Sequence, residues 1–521
     1  MTLHDAHDHM SFRLFNSLSG KKEEFQPGQP GVVKLYNCGP TVYNFNHIGN
    51  FRSYMSVDVL RRSLLFFGYK VDHTTNITDV EDKIIANAAK QGKDIFAFTK
   101  PFIEYFLEDL AYLGIQDVEH RPKATDSIPA MIDLMQKLEK SGHTYSQDGD
   151  VYFRLKSFSE YGKLSRIEPE QLKAAAGGRF TADEYTKEDI RDFALWKKQQ
   201  APSEPAWDSP YGKGRPGWHL ECSAMIRDIY GAGGVDIHAG GIDLLFPHHE
   251  NEIAQSCCAY RGENFVRYWV HNEHLLVDGK KMSKSLGNYF TLRDLSEKQG
   301  LERLISENRA PADTMKLHEK LSMKRALRYL LLSTHYRSRL NFTFENLKAS
   351  DAACERIQTC LDKALGTSGI TEKQAATTFA ARDPAQPQKL FADKGLATAI
   401  QSFQDALLDD LNISRALAAV FDAVSDLNSR GMDADLARQA VVFFYAANQI
   451  IAVLDFRPED QREKPQADLG DLASYVQSKI EERLRARAEK NWALSDQIRD
   501  ELKAKGIILK DSPQGTTWEK A

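Results

Sequence analysis

The stretch Tyr36 to Asn50, Y-N-C-G-P-T-V-Y-N-F-N-H-I-G-N, decides how this chain folds. The apolar run Val32–Tyr36 leads into it and reads as a buried strand. Gly39-Pro40 breaks that strand. After Gly49 the period turns helical, with Tyr54, Val57, Leu60 and Leu64 three or four residues apart. Gly68 ends the helix, and a second strand-like run, Tyr69–Thr75, follows. Strand, loop, helix and strand in this order predict a βαβ unit. Ligands of such units bind beyond the strand ends, so Cys38 and His47 are expected to line a crevice.

The 521 residues exceed what one core holds, so about two to four domains are expected. A hydrophobic fraction of 42% and a charged fraction of 27% are those of an ordinary globular protein. A net charge of −5 argues against a generally basic nucleic-acid coat but allows a local basic face. Met1–Ser11 is polar, carries His4, His7 and His9, and reads as a tail rather than a signal peptide. The longest apolar tract, Ala440–Leu454, contains Asn448 and Gln449 and falls short of the roughly 20 residues of a membrane span. It reads as a core helix. Six cysteines are too few for a disulfide framework, and a cytoplasmic location is expected. Cys257, Cys258, Cys354 and Cys360 read as small core or surface residues.

Along the chain, Phe12–Gln26 is an apolar segment with a charged turn. N-I-T-D, Asn76–Asp79, follows the second strand. There Thr78 either faces the crevice or caps a helix starting near Val80. Lys83 to Pro216 reads as an insertion, with helices Phe102–Leu113 and Ile128–Lys140, a strand at Gly149–Phe153 and a loop at Ser165–Lys187. The second half of the split domain opens at G-W-H-L-E-C-S-A-M, Gly217–Met225, and includes the strand Val235–His238. In F-P-H-H-E-N-E, Phe246–Glu252, Pro247 suits a first helical turn, and His248 and Glu252 share one helix face. With Cys38 and Cys222 they would form an N/O/S₂ set suited to Zn²⁺, with His249 and Glu250 as adjacent alternatives.

The run Val266–Val277 reads as a strand. D-G-K-K-M-S-K-S-L-G-N, Asp278–Asn288, then reads as a mobile loop that offers Lys281 and Lys284 to phosphates. Glu297–Leu321 is charged and helical, interrupted at Pro311. Lys373–Lys394 and Arg457–Gly470 read as linkers. Between them a helix from Ser414 turns Leu417, Val420, Phe421, Val424 and Leu427 into a bundle. A last module has helices Leu472–Lys490 and Ala493–Lys505, then the strand Ile507–Lys510 and Gly515–Trp518.

Two of these stretches together carry a resemblance. H-I-G-N at His47–Asn50 resembles the HIGH motif of class I aminoacyl-tRNA synthetases, and K-M-S-K-S at Lys281–Ser285 matches the second signature of that class. C-G-P-T-V-Y, N-I-T-D, G-W-H-L-E-C-S-A-M, F-P-H-H-E-N-E-I-A-Q-S and D-S-P-Q-G-T-T-W look like cysteinyl-tRNA synthetases, from Leu14 to Trp518. The resemblance implies an α/β fold: a Rossmann-type parallel-sheet catalytic domain with a connective insertion, a helical bundle and a small C-terminal α+β module. It divides the chain into catalytic halves 12–82 and 217–295, the insertion 83–216, a linking domain 296–372, an anticodon-binding bundle 395–456 and a tRNA-binding module 471–521. The family's zinc ligands fall on Cys38, Cys222, His248 and Glu252, which favours His248 over His249. Two departures stand out: Asn50 replaces the motif's second histidine, and Glu297–Leu321 is longer than usual, as a surface insertion would be.

The implied reaction joins L-cysteine to ATP as cysteinyl-adenylate, then passes the cysteinyl group to tRNA(Cys). His47, Gly49, Asn50 and Lys284 are expected to bind ATP with Mg²⁺, and His47, Lys281 and Lys284 to serve catalysis. Thr78, Trp218 and His238 are expected pocket walls. One Zn²⁺ binding the substrate thiolate would separate cysteine from serine, which an apolar pocket does poorly. Four protein ligands usually mark a closed site, so coordination would have to expand. Trp518 is a candidate for stacking on anticodon bases, or for filling the small module's core. The enzyme is expected to be monomeric and to have no membrane partner. Two other readings remain: a ligase joining cysteine to a small-molecule amine, which needs no anticodon module, and a non-catalytic tRNA binder, which needs neither lysine of K-M-S-K-S.

Overall fold

The computed structural model describes residues 11–166, 192–319, 322–457 and parts of 479–520. The expected histidine tail, the Gly177-Gly178 part of the Ser165–Lys187 loop and most of the Arg457–Gly470 linker lie outside them.

At the centre is a four-stranded parallel sheet. Its strands are β1 (Val32–Asn37), β2 (Lys70–Thr75), β3 (Val235–Gly241) and β4 (Val266–Asn272), in the order β4-β3-β1-β2. All three pairings are parallel. The two halves of the split domain meet where β1 pairs with β3, Leu35 opposite Ile237 and Tyr36 opposite His238. From there the chain winds outward in both directions, to β2 and to β4. That junction is the topological switch point, and its carboxyl end opens the crevice. Every residue of β3 is buried, Asp236 and His238 included, as expected of a central strand covered on both faces.

Helix α1 (Ile48–Phe66) connects β1 to β2. It buries Phe51, Tyr54, Met55, Val57, Leu60 and Leu64 but also Arg52, Asp58 and Arg61, so it is covered on more than its apolar face. Phe67 is its C-cap, and Gly68 then turns with φ +92°, which a glycine adopts without steric cost. Gly39 has no room for a side chain, because a Cβ there would meet the Asn76 carbonyl oxygen at 1.6 Å. The loops after β1 and β2 therefore run in contact.

The insertion contains helices Ile95–Tyr112, Asp82–Lys90 and Ile128–Lys140 and an antiparallel sheet of Thr144–Gln147, Asp150–Phe153, Phe193–Lys198 and Gly214–Pro216. The helix expected from Phe102 starts at Ile95, because Asp94 caps it and Pro101 sits in its second turn. The second half then supplies α2 (Trp218–Tyr230) and α3 (Glu250–Ala259). Pro247 does not open a helix as expected: it follows a cis peptide bond after an extended Phe246, and regular helix begins at Glu250.

The expected strand Val266–Val277 divides at Glu273. Leu275–Val277 joins a different sheet, beside Leu340–Phe342. Lys373–Lys394 is not a bare linker: Thr371 caps a helix at Glu372–Ala380 that buries Ala375 and Phe379. Glu297–Leu321 is not a surface addition either, since Leu301, Leu304 and Leu317 are buried in the main core. Pro311 does interrupt its helices, as expected. That core continues through α4 (Ser322–Leu332), Phe344–Ser368, Lys394–Leu408, Ile413–Arg430 and α5 (Ala434–Ile451). Sheet and bundle thus share one hydrophobic core. Among the described residues no helix is long and apolar enough to cross a membrane. At the C-terminus Ile507–Ser512 pairs antiparallel with Gly515–Lys520, Leu509 opposite Trp518.

Candidate metal and nucleotide site

A cavity of about 440 Å³ opens at the carboxyl ends of β1 and β3, lined among others by Cys38, His47, Gly49, Asn50, Trp218 and Lys281. Cys38 joins it to a buried donor cluster. Cys38 follows β1, Cys222 lies on α2, His248 precedes α3 and Glu252 is on its first turn. One donor atom from each lies within 4.8 Å of the others. The two sulfurs are 3.8 Å apart, Cys222 Sγ is 3.5 Å from His248 Nε2, and His248 Nε2 is 3.1 Å from Glu252 Oε1.

The chemistry of this set fits a soft divalent cation. Burial pushes the Cys38 thiol and the Glu252 carboxyl well up and the His248 imidazole well down, each toward its neutral form. Glu252 Oε1 is buried and makes no hydrogen bond. Two thiols, an imidazole and an unsatisfied carboxylate oxygen converge, and a cation would favour the charged form of each acid. His248 is oriented for this by its other nitrogen, which lies 3.0 Å from His219 Nδ1, and by Trp218 stacked on it at 4.4 Å.

His238 and His249 form a second possible set with Cys38 and Glu252. His249 Nε2 is 3.4 Å from Cys38 Sγ, and His238 Nε2 is 3.1 Å from Glu252 Oε2. The geometry alone therefore leaves both histidines of the H-H pair able to serve. It excludes the other alternative, Glu250. That carboxylate turns away and accepts backbone N–H bonds from Gly162 at 2.9 Å and Ser165 at 2.7 Å, tying the insertion to α3.

His47 is the N-cap of α1, and Asn50 completes a capping box. His47 Nδ1 accepts from the Asn50 N–H at 3.2 Å, and Asn50 Oδ1 accepts from the His47 N–H at 3.0 Å. Because Nδ1 is an acceptor, the ring proton sits on Nε2. Burial lowers the His47 pKa to about 4, against a smaller opposing effect of Asp243, so the ring is a neutral donor at pH 7. Gly49 lets the loop close: a Cβ there would meet the His47 ring at 2.9 Å and Met282 Cε at 3.0 Å.

The structure does not bring every expected site residue to the cavity wall. Thr78 is buried and donates its hydroxyl to Glu221 Oε2 at 2.6 Å, while its backbone bonds Pro40 and Val42. It does not cap a helix, since the helix after it begins at Asp82 under the cap of Glu81. His238 is wholly buried behind the donor cluster. Trp218 does line the cavity and is 39% exposed, so it can meet a ligand. Lys281 lines the cavity, whereas Lys284 lies outside the lining with its ammonium over the Tyr289 ring. Asp243, Glu81, Lys83 and Tyr289 also line it and were not picked out from sequence. Asp243 had a usable signal, since it follows the Gly240-Gly241 strand end, where the crevice rule places ligands.

A parallel sheet joined from two chain segments, with H-I-G-N at the first crossover helix and K-M-S-K-S across the same cavity, defines a class I aminoacyl-tRNA synthetase. Solved structures share this fold. Mycobacterium tuberculosis methionyl-tRNA synthetase in complex with methionyl-adenylate matches with a TM-score of 0.51 at 16% identity, covering 81% of this chain and 90% of that one. A putative arginyl-tRNA synthetase from Campylobacter jejuni matches with a TM-score of 0.51 at 12% identity, covering 88% and 100%.

Sequence comparison is more specific. Residues 24–305 match the tRNA synthetases class I (C) catalytic domain, 402–454 the DALR domain and 469–518 the cysteinyl-tRNA ligase anticodon binding domain. The cysteine–tRNA ligase of Leptospira interrogans serovar Lai is 46% identical over 515 residues, 98% of this chain and all (100%) of that one. That of Brachyspira hyodysenteriae is 40% identical over 510 residues, 97% and 99% of the two chains. The chain belongs to the cysteine–tRNA ligase family.

Proposed function

We propose that this enzyme activates L-cysteine with ATP and transfers the cysteinyl group to tRNA(Cys). The observation that carries this reading is the meeting, in one cavity, of a thiol-rich donor cluster with the two signatures. Cys38 belongs to the cluster and, with His47 and Lys281, lines the cavity.

In the first step a cysteine carboxylate oxygen attacks the α-phosphorus of ATP. The bond from that phosphorus to the bridging oxygen breaks, and pyrophosphate leaves. Negative charge shifts onto the leaving group, so fixed donors lower the barrier. His47 Nε2–H supplies such a donor. Lys281 and Lys284 neutralise the pyrophosphate, and Mg²⁺ accompanies the nucleotide. In the second step a hydroxyl of the terminal tRNA ribose attacks the cysteinyl carbonyl and AMP leaves. Both steps need only groups at the crevice.

Cys38, Cys222, His248 and Glu252 are the residues we assign to Zn²⁺. When bound, the metal supplies a soft Lewis acid for the substrate thiolate, an interaction that serine cannot match. Trp218 closes the cavity beside His248. Thr78 acts from behind, by fixing Glu221 next to Cys222, and His238 by holding Glu252. We assign 12–82 and 217–295 to the catalytic halves, 83–216 to the insertion, 296–372 to the linking domain and 395–456 and 471–521 to tRNA binding. Since one chain contributes the whole cluster and both signatures, a monomer suffices. We place it in the cytoplasm, where charged tRNA meets the ribosome.

ATP–pyrophosphate exchange with cysteine and with serine, beside a zinc determination, tests the reading. Exchange with cysteine only, at about one zinc per chain, is expected. Charging of tRNA(Cys) then separates this enzyme from a small-molecule ligase. Exchange with serine at a similar rate would overturn the zinc assignment, and no exchange from folded, zinc-loaded protein would overturn the activity.

A further inference from the structure

The residues just after K-M-S-K-S form a seam with the start of H-I-G-N and the residue before it. Ile48 N–H donates to the Phe290 carbonyl at 3.0 Å and Leu292 N–H to the Asn46 carbonyl at 3.3 Å, with His47 and Thr291 bridged antiparallel between them. Asn288 closes the lysine loop onto this seam, accepting from Ser283 N–H at 2.8 Å and donating to the Lys281 carbonyl at 3.2 Å. Next to Asn288, at the start of the seam, stands Tyr289. Its ring centroid is 5.2 Å from that of His47 at an interplanar angle of 76°, and Lys284 Nζ lies 5.2 Å from the same centroid. Tyr289 lines the cavity and Lys284 does not. The ring therefore touches both the cavity and the ammonium.

We propose that Tyr289 is the positioning residue for Lys284 in adenylate formation: its ring holds the ammonium at the cavity rim and at the same time packs against His47. A lysine on an exposed loop has wide rotamer freedom to lose before it can meet a phosphate. An aromatic ring attracts the ammonium and restricts that freedom before ATP arrives. Gly287, at φ +65° and with open space around it, gives the loop a joint through which Lys284 reaches the pyrophosphate. His47 and Lys284 thus share one aromatic support and are kept in register across the cavity.

This rests on the reading of Lys284 as a phosphate ligand, so the test includes Lys284→Ala alone. Pyrophosphate exchange is measured for Tyr289→Leu and Tyr289→Phe, each with and without Lys284→Ala. Tyr289→Leu is expected to lower kcat about two- to fivefold, the range of an exposed cation–π contact, with KM for cysteine unchanged. Tyr289→Phe, which keeps the ring, restores kcat. In the Lys284→Ala background, Tyr289→Leu produces no further loss. If the melting transition of the leucine variant is lost, Tyr289→Met takes its place as an unbranched filler.

An equal loss in both backgrounds would overturn the proposal, because the ring would then act independently of Lys284. Loss in Tyr289→Phe as large as in Tyr289→Leu would also overturn it, by placing the effect on the hydroxyl. Full exchange by Lys284→Ala would overturn the phosphate role of that lysine and this proposal with it. A strong Lys284→Ala defect beside an unaffected Tyr289→Leu would overturn this proposal alone.

Discussion

Asn50 Oδ1 accepts the backbone N–H of His47 at 3.0 Å while His47 Nδ1 accepts the N–H of Asn50 at 3.2 Å. The residue that departs from the class motif therefore has a structural task that its neutral amide performs. A histidine at this position could carry a proton charge, and asparagine cannot. At this position an acceptor is used, and charge is not. Asn50→Ala leaves the His47 N–H without its partner and should destabilise the start of α1 by about 1 kcal/mol. Asn50→His, which can accept through Nδ1, should keep pyrophosphate exchange within a few-fold. Thermal unfolding and exchange on the two variants check this, and a large loss in Asn50→His with native stability would show that the amide itself meets ATP.

The donor cluster separates two adjacent glutamates by role. Cys222→Ser removes a thiolate ligand and should release zinc and abolish cysteine-dependent exchange together. Glu250→Ala should leave the zinc content unchanged, because its carboxylate serves Gly162 and Ser165 rather than the cluster. Its cost should appear as stability, up to about 1–3 kcal/mol for backbone donors left unpaired. Zinc content by emission spectroscopy, with urea unfolding alongside, distinguishes the two; zinc loss in Glu250→Ala would contradict the assignment.

Much of this site was legible because its chemistry is local in sequence. H-I-G-N announces a helix start, K-M-S-K-S is too polar for a core element, and His248 and Glu252 do meet as their i, i+4 spacing suggests, although His248 precedes the regular helix. The pairing of Cys38 with Cys222 was not legible from spacing, because only the β1–β3 junction brings the two halves together. Resemblance supplied it before the fold did. Thr78 and His238 were expected at the wall and lie behind it, since sequence reports an element's end but not which way a side chain turns. Glu297–Leu321 looked like a surface insertion because it is longer than the family's usual connection. Leu301, Leu304 and Leu317 are nevertheless enough to seat it in the core. Tyr289 had no motif of its own, and only its place between His47 and Lys284 marks it.

A buried histidine away from the cluster makes stability depend on pH. Burial, with a smaller contribution from Arg61, lowers the His73 pKa from 6.5 to about 3, against the opposing Glu119 and Asp58 and with Arg121 adding to the lowering. His73 Nε2 lies 2.7 Å from Asn37 Oδ1. The unfolded chain binds this proton more readily than the folded one between pH 6.5 and 3. Stability is therefore full above pH 6.5 and falls with acidification through that window, by at most about 1.4 kcal/mol per pH unit for one group. His73→Asn should flatten this slope. Urea unfolding between pH 7 and about 4.5 on both chains measures it, and an unchanged slope would assign the acid sensitivity elsewhere.

The joint between α1 and the helical bundle carries the last prediction. Asp58 on α1, with none of its side chain exposed, pairs with Arg328 of α4 at 2.7 Å and with Arg62 at 2.8 Å. Arg328 Nε also donates to the Ile451 carbonyl at 2.7 Å, and Arg62 Nη1 to the Gln449 carbonyl at 3.1 Å. Two guanidinium groups thus hold the last carbonyls of α5 against the helix that begins at His47. Burial lowers the Arg328 pKa, but the Asp58 carboxylate favours its charge, and the pair is sustained by hydrogen bonds from every side. Arg328→Met would leave Asp58 buried with Arg62 as its one cation, beside the Gln116 N–H that donates to it at 2.9 Å, and would leave the Ile451 carbonyl without its guanidinium donor. A loss of about 3–5 kcal/mol is expected, as for a broken buried pair. Arg62→Met should cost less, since Arg328 keeps Asp58 paired. Equal losses in the two variants, read from urea unfolding, would mean that the joint is held by packing and that the charges contribute little.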